Sequence, residues 1–333
     1  MKRIDSTVVI IGSGPAGLAA ACAAKDTGAE KVLIVERDQY SGGILQQCIH
    51  AGFGLTYFNE ELTGPEYAER FMQKAESRGV EWLFNTTALE IRNNTLISCN
   101  EEGIVEISFG ALILAMGCRE RTRGNLTIPG TRPSGIFTAG TAQRLVNIKG
   151  HHIGEEIVIL GSGDIGMIMA RRMSLEGAKV KCAIEVQPQL SGLMRNKVQC
   201  LDDFGIPLLL SHTVTSINGR DRVESVTVAP VDENFKPDMK KEQVIPCDTV
   251  LISTGLIPEN ELTRAAGITL SEMTGGPVVN EYYQTTDNPA VFACGNVLHV
   301  TGLVDDVTTE SEKAGKYAAM YAMDRSFTGG HKL

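Results

Sequence analysis

The 333 residues carry 31 Lys and Arg against 40 Asp and Glu, a net charge of −9 with no long run of one sign, which excludes the basic footprint of a nucleic-acid binder. That length suggests two domains, each able to bury its own core. Glycine is abundant at 35 residues and aromatics are scarce at 5%, a balance of many tight turns and few stacking platforms.

Lys2 and Arg3 precede an apolar stretch, Val8 to Ala24, that imitates a signal peptide. Gly12, Gly14, Pro15 and Gly17 interrupt it and favour a strand, a turn and a helix, and no other stretch is long and apolar enough for a membrane span. Ser6 to Ile11 is a β-branched run that ends in Gly12-Ser13-Gly14-Pro15-Ala16-Gly17 and passes into an alanine-rich helix, Leu18 to Asp26, stopped at Gly28. A second strand, Val32 to Glu36, ends on an acid. The same grammar returns with strand Glu156 to Leu160, the turn Gly161-Ser162-Gly163-Asp164-Ile165-Gly166, a helix Met167 to Glu176 stopped at Gly177, and strand Val180 to Glu185. From first glycine to acid the distance is 24 residues in both copies, 12 to 36 and 161 to 185. A dinucleotide explains the pattern, because its pyrophosphate sits against backbone N–H groups at a helix N-terminus while the acid accepts hydrogen bonds from the ribose. The eight cysteines never come closer than 18 residues, so no CxxC or metal-ligand spacing exists, no metal is expected, and a reducing, cytoplasmic setting is.

The turn Gly12 to Gly17, followed by Glu36-Arg37, resembles the FAD site of the two-dinucleotide-domain flavoprotein reductases, the superfamily of thioredoxin reductase and the pyridine-nucleotide disulfide oxidoreductases. Ala115-Met116-Gly117-Cys118-Arg119-Glu120-Arg121 with Pro129-Gly130 resembles the crossover that leaves their FAD domain, and Ser253 to Pro258, with Gly255, resembles its counterpart leaving the NAD domain. Val291 to Asn296 resembles the second FAD motif, Gly295 and Asn296 meeting the ribityl chain, and a helix from Thr309 to Ala319 would face the flavin pyrimidine. Gly43, Ala88 and Val307 complete the FAD set that the resemblance implies, and Gly161, Gly163, Asp164, Ile165, Gly166, Glu185 and Gly255 form the NAD set. The implied fold is α/β, two nested Rossmann-like three-layer dinucleotide-binding domains: FAD-binding at 1–118, NAD(H)-binding at 119–250, FAD-binding again at 251–333. A carboxylate at Glu185 favours NADH, since it repels a 2′-phosphate, with Lys179 and Lys181 near enough to soften the preference.

The sequence also departs from the reductases. Ile136 to Gln143 has no redox CxxC, and Gly42-Gly43 is followed by one cysteine only, so dithiol exchange is disfavoured. Cys48 has two readings: a thiol activated by His50, or the preferred one, a small apolar residue packed under the flavin. Asn296 stands where most of the superfamily has Asp, which removes charge assistance from the ribityl contact. Gly42 to Leu55, Glu61 to Tyr67 and Ser191 to Cys200 are similar to the NAD/FAD flavoproteins that accompany bacterial FAD-type glycerol-3-phosphate dehydrogenases. Thr138 to Gln143 resembles the α-type subunits of sarcosine oxidase, opine oxidase and hydrogen cyanide synthase. These resemblances imply an oxidoreductase that exchanges hydride between NADH and FAD and serves a partner dehydrogenase or small electron-carrier subunit, with homo-oligomerisation open. The rivals are a stand-alone NADH oxidase or peroxidase using Cys48, and a non-catalytic nucleotide-binding subunit.

Overall fold

The computed structural model describes residues 2–324. Two units divide the chain: residues up to Arg119 together with Ile257 onward, and Glu120–Leu256 between them. The junctions fall one and six residues after the sequence expectations of 118 and 250, and residues 325–333 of the expected last segment lie outside the described residues.

In the first unit, β1 (Lys2–Ile11) is buried over Val8 to Ile11, as a central parallel strand must be. It reaches four residues further back than its β-branched run, because Lys2 to Asp5 pair with Val105 to Ser108. Helix α1 (Pro15–Asp26) starts at the proline, whose fixed φ suits the first helical position, three residues earlier than the alanine pattern suggests. There follow β2 (Val32–Val35), α2 (Gly64–Ser77), which a reciprocal capping box of Thr63 and Glu66 begins, β3 (Glu81–Leu83), β4 (Thr87–Arg92), β5 (Thr95–Asn100) and β6 (Gly103–Leu114). Their sheet runs β3-β2-β1-β6-β5-β4, parallel through the first four strands.

The second unit contains β7 (Ile136–Thr138), α3 (Ala139–Asn147), β8 (Glu156–Leu160), α4 (Asp164–Leu175), β9 (Lys179–Ile184), β10 (Leu208–Leu209), β11 (His212–Gly219), β12 (Val223–Pro230), β13 (Gln243–Pro246) and β14 (Thr249–Ile252). A five-stranded parallel sheet, β7-β14-β8-β9-β10, is accompanied by the antiparallel sheet β11-β12-β13. Alternate residues of β8 feed opposite cores: Ile157 and Ile159 pack with Met167 and Met173 of α4, Val158 and Leu160 with Val226 and Val228 of β12. Three layers result.

Returning to the first unit, β15 (Val291–Ala293) pairs with the end of β6, and α5 (Val304–Met323) lies against α1. α5 begins five residues before the expected Thr309. Asp305 and Asp306 occupy its first turn, where the helix dipole favours acids. A Cβ on Gly315 would strike the carbonyl of Ala20, so the two helices meet through small residues.

Candidate functional site: two copies of one cradle

β1 delivers the first glycine turn between β2 and β6, with Ile11 opposite both Val35 and Leu114. Gly12 has φ +102° and donates its N–H to Val35 O at 2.9 Å; a side chain there would meet the Ala115 carbonyl. A side chain on Gly17 would run into Gly12 O, whereas nothing lies within 4 Å of a Cβ built on Gly14. One glycine makes the turn, one packs helix on strand, and Gly14 leaves open space in front of the N-terminus of α1. Glu36, buried, accepts from Ser13 N at 2.8 Å and Ser13 Oγ at 2.7 Å with one oxygen, and from Asp38 N at 2.8 Å with the other. Its carbonyl accepts from Thr86 N, which brings the start of β4 and Ala88 into the neighbourhood. Gly43 backs onto Gly14, a Cβ on it standing 3.0 Å from Gly14 Cα. Pro15 is the first residue of α1, Met116 is half-buried beside the core, and Arg37 is exposed.

Gly295, at φ +72°, seats against Ala16 and Val307. Glu310 accepts its N–H at 2.8 Å and stands 3.3 Å from His299. Burial raises the Glu310 carboxyl above its ordinary range, although the Gly295 N–H and His299 oppose this. Asn296 accepts from Thr301 N at 3.0 Å and donates to Cys118 Sγ at 3.6 Å. Asp305, 8% exposed, holds Thr56 N and Tyr57 N on Oδ2 while its Oδ1 has no hydrogen-bond partner. An open glycine face at a helix N-terminus, a pinned acid behind it and an orphaned carboxylate oxygen in the first turn of α5 fit a flavin dinucleotide, which Gly12, Gly14, Gly43, Glu36 and Gly295 would hold.

The second copy repeats the first in detail. Gly161 has φ +103° and donates to Ile184 O at 2.7 Å. Glu185 accepts from Ser162 N at 3.0 Å, Ser162 Oγ at 2.6 Å and Ser191 Oγ at 2.8 Å on one oxygen and from Gln187 N at 2.9 Å on the other. Burial alone would raise its pKa, but these donors outweigh burial and hold the carboxylate below its usual range. Gly192 N donates to Ser162 O at 3.0 Å as Gly42 N donates to Ser13 O at 2.9 Å, so the loop after each acid folds back over the glycine turn. Asp164 is drawn towards this loop by Leu193 N at 2.8 Å and Asn196 Nδ2 at 2.7 Å. Ile165 packs against the core of the unit, a Cβ on Gly163 would have Ser253 Oγ at 3.5 Å, and one on Gly166 would crowd Ser253. Gly255, at φ +108°, accepts Arg121 N at 3.0 Å through its carbonyl, both residues belonging to the second unit. Lys181 is engaged by Glu156 at 2.5 Å and does not stand free to soften the choice of nucleotide.

Ser162, Ser191 and Glu310 escaped the sequence reading. The serine at the second place of both glycine turns was the available signal. Both oxygens of Glu120 accept Gly140 N at the start of α3, at 2.8 and 2.9 Å. Burial pushes the Cys48 thiol up to about 12, and it donates to Ile44 O at 3.3 Å. The lowering that the alternative reading, activation by His50, requires is not met; that ring donates from Nδ1 to Ala51 O at 3.1 Å and lies 5.1 Å from Phe53. Among the described residues no group of three or more His, Cys, Asp or Glu is placed to hold a metal, and no helix is long and apolar enough to cross a membrane.

The family described as pyridine nucleotide-disulphide oxidoreductase matches residues 6–316. The chain belongs to that family. It is similar to hydrogen cyanide synthase subunit HcnB of Pseudomonas protegens, 28% identical over 78% of this chain and 58% of that protein. It is also similar to the CoA-dependent NAD(P)H sulfur oxidoreductase of Pyrococcus abyssi, 26% identical over 89% of this chain and 63% of that one. The chain thus spans about three fifths of the length of both relatives. Among solved structures, thioredoxin reductase of T. acidophilum superposes with a TM-score of 0.77 at 22% identity, over 96% of this chain and 99% of that one, a likeness of fold.

Proposed function

We propose that the chain exchanges hydride between NADH and FAD and passes electrons to or from a partner subunit that carries its own dehydrogenase site. The observation that supports it best is the duplicated cradle: glycine turn, serine and pinned carboxylate occur twice in one chain, one set per dinucleotide. FAD, when bound, supplies the two-electron chemistry. The protein's own groups position and select. Glu36 and Glu185, each held by a serine and a backbone N–H, present ordered oxygens to ribose hydroxyls, and the charge of Glu185 repels a 2′-phosphate. The N-terminus of α5 stabilises negative charge near its first turn. A thiol held up at about 12 is protonated at neutral pH, which argues against a Cys48 mechanism. The similarity to a protein named as a synthase subunit supports a partner, and eight free cysteines support a reducing compartment, the cytoplasm.

Anaerobic titration of the purified flavoprotein, followed in the visible band, tests this reading. The expected result is bleaching at lower NADH than NADPH, with Glu185→Gln narrowing that preference by roughly tenfold. Failure of both nucleotides to bleach the band would overturn it.

A further inference from the structure

A cavity of about 500 Å³ opens in the first unit beside the C-terminal half of α1, against α2 and the middle of α5. It is lined at the opposite end of α1 from the glycine turn, by Cys22, Ala23, Asp26 and Thr27. Tyr57 and Phe71 form an aromatic wall, with centroids 5.4 Å apart. Lys74 Nζ stands over both rings, 4.9 and 4.7 Å from their centroids. Lys313, Lys316 and Arg78 complete four cations, against two carboxylates, Asp26 and Glu312.

Both carboxylates are already committed. Asp26 accepts from Arg78 at 2.7 Å, and Glu312 accepts the Tyr57 hydroxyl. Burial and that carboxylate keep the Tyr57 phenol protonated well above its ordinary range, so Tyr57 remains a donor to Glu312. Lys74, Lys313 and Lys316 have no carboxylate within ion-pair distance among the described residues. In a chain of net charge −9, this cavity carries an excess of two positive charges.

We propose that the cavity is a second ligand site, separate from both dinucleotide cradles, for a small organic dianion with a flat apolar body: an aromatic phosphomonoester or dicarboxylate. Two negative charges match the excess, and ammonium groups without a carboxylate partner are ready donors to phosphate or carboxylate oxygens. Tyr57 and Phe71 line the cavity beside Lys74 and give an apolar group contact area that a bare inorganic ion would leave uncovered. The volume lies within the usual span of small-molecule pockets, about 300 to 1,000 Å³. Occupancy would be felt at the flavin cradle, since Tyr57 is tied to α5 twice: through its hydroxyl to Glu312 and through its N–H to Asp305, at 3.2 Å.

Calorimetric titration of the flavin-loaded protein with phenyl phosphate and, separately, phthalate tests the site and distinguishes the two anion classes. Inorganic phosphate and phenol serve as half-ligand controls. One of the two probes is expected to bind at least roughly tenfold more tightly than either control. Lys74→Gln and Lys316→Gln are each expected to weaken it by a similar factor, leaving the flavin spectrum and its bleaching by NADH unchanged. Equal binding by both variants, displacement of the probe by NADH, or tighter capture of an acidic peptide such as poly-glutamate would each overturn the proposal.

Discussion

Glu185 and Glu310 show how one residue type acquires opposite behaviour from its partners. Four donors draw Glu185 below the carboxylate range, so its contribution to stability is present above the unfolded pKa and is lost as pH falls through the folded one. Glu310 is raised by burial, so the folded protein holds its proton longer than the unfolded chain, and stability declines as pH rises through that interval. Glu310→Gln keeps an acceptor for Gly295 N and removes the buried charge. Its melting temperature is expected to gain a few degrees on wild type at pH 8 and little at pH 4, a difference that thermal melts at the two pH values read directly. Cys48→Ser is expected to leave the rate of flavin bleaching by NADH within about twofold in a stopped-flow trace; an abolished peroxide turnover would instead revive the thiol mechanism. The glycines and the two acids were legible because a backbone turn and a charge at fixed spacing are local facts. Asp305 holding Thr56, 249 residues away, is not local, and nothing near Asp305 in the chain announces it.

Helix starts were the least legible features at the level of elements. The alanine pattern of α1 is real, but Pro15 and the open Gly14 set the first turn, and that turn faces the space where a pyrophosphate fits. α5 was read as beginning at Thr309 and begins at Val304, because its acidic first turn looks like loop composition and is stabilised only once the helix dipole exists. Gly315 of α5 meets Ala20 of α1, and Ala19, Ala314 and Ala318 of the same two helices are fully buried. Gly315→Val drives a branched side chain into the Ala20 carbonyl, with a cost of about 1 to 3 kcal/mol. Since α5 also carries Asp305 and Val307, the variant is expected to lose flavin on gel filtration more readily than wild type, and added FAD is expected to recover part of its melting temperature. Gly17→Ala attacks the same cradle through the Gly12 carbonyl and is expected to purify without colour.

Among the described residues, hydrophobic clusters respect the boundary between units. One core belongs to the first unit, and two, on opposite faces of the parallel sheet, belong to Glu120–Leu256. The layout could be read from the repeat because each copy needs its own strand-turn-helix, but the junctions shifted by up to six residues because they lie where no periodicity marks them. Expressed alone, residues 120–256 are expected to melt cooperatively and to retain NADH binding without flavin. A non-cooperative melt would show that the unit depends on its surroundings.

Strand β6 has a consequence for biosynthesis. Its last residues, Leu112 to Leu114, receive β15 on one side, and β15 emerges from the ribosome only after the entire Glu120–Leu256 segment. At about 5 to 20 residues per second, the nascent sheet waits about 10 to 35 s with that edge unfilled, while the intervening unit has all of its strands in hand. The middle unit can therefore mature on the ribosome. Completion of the first unit, which needs β15 and α5, comes after, so a chain arrested between Leu256 and Val291 is expected to hold a folded middle unit and an unfinished first sheet.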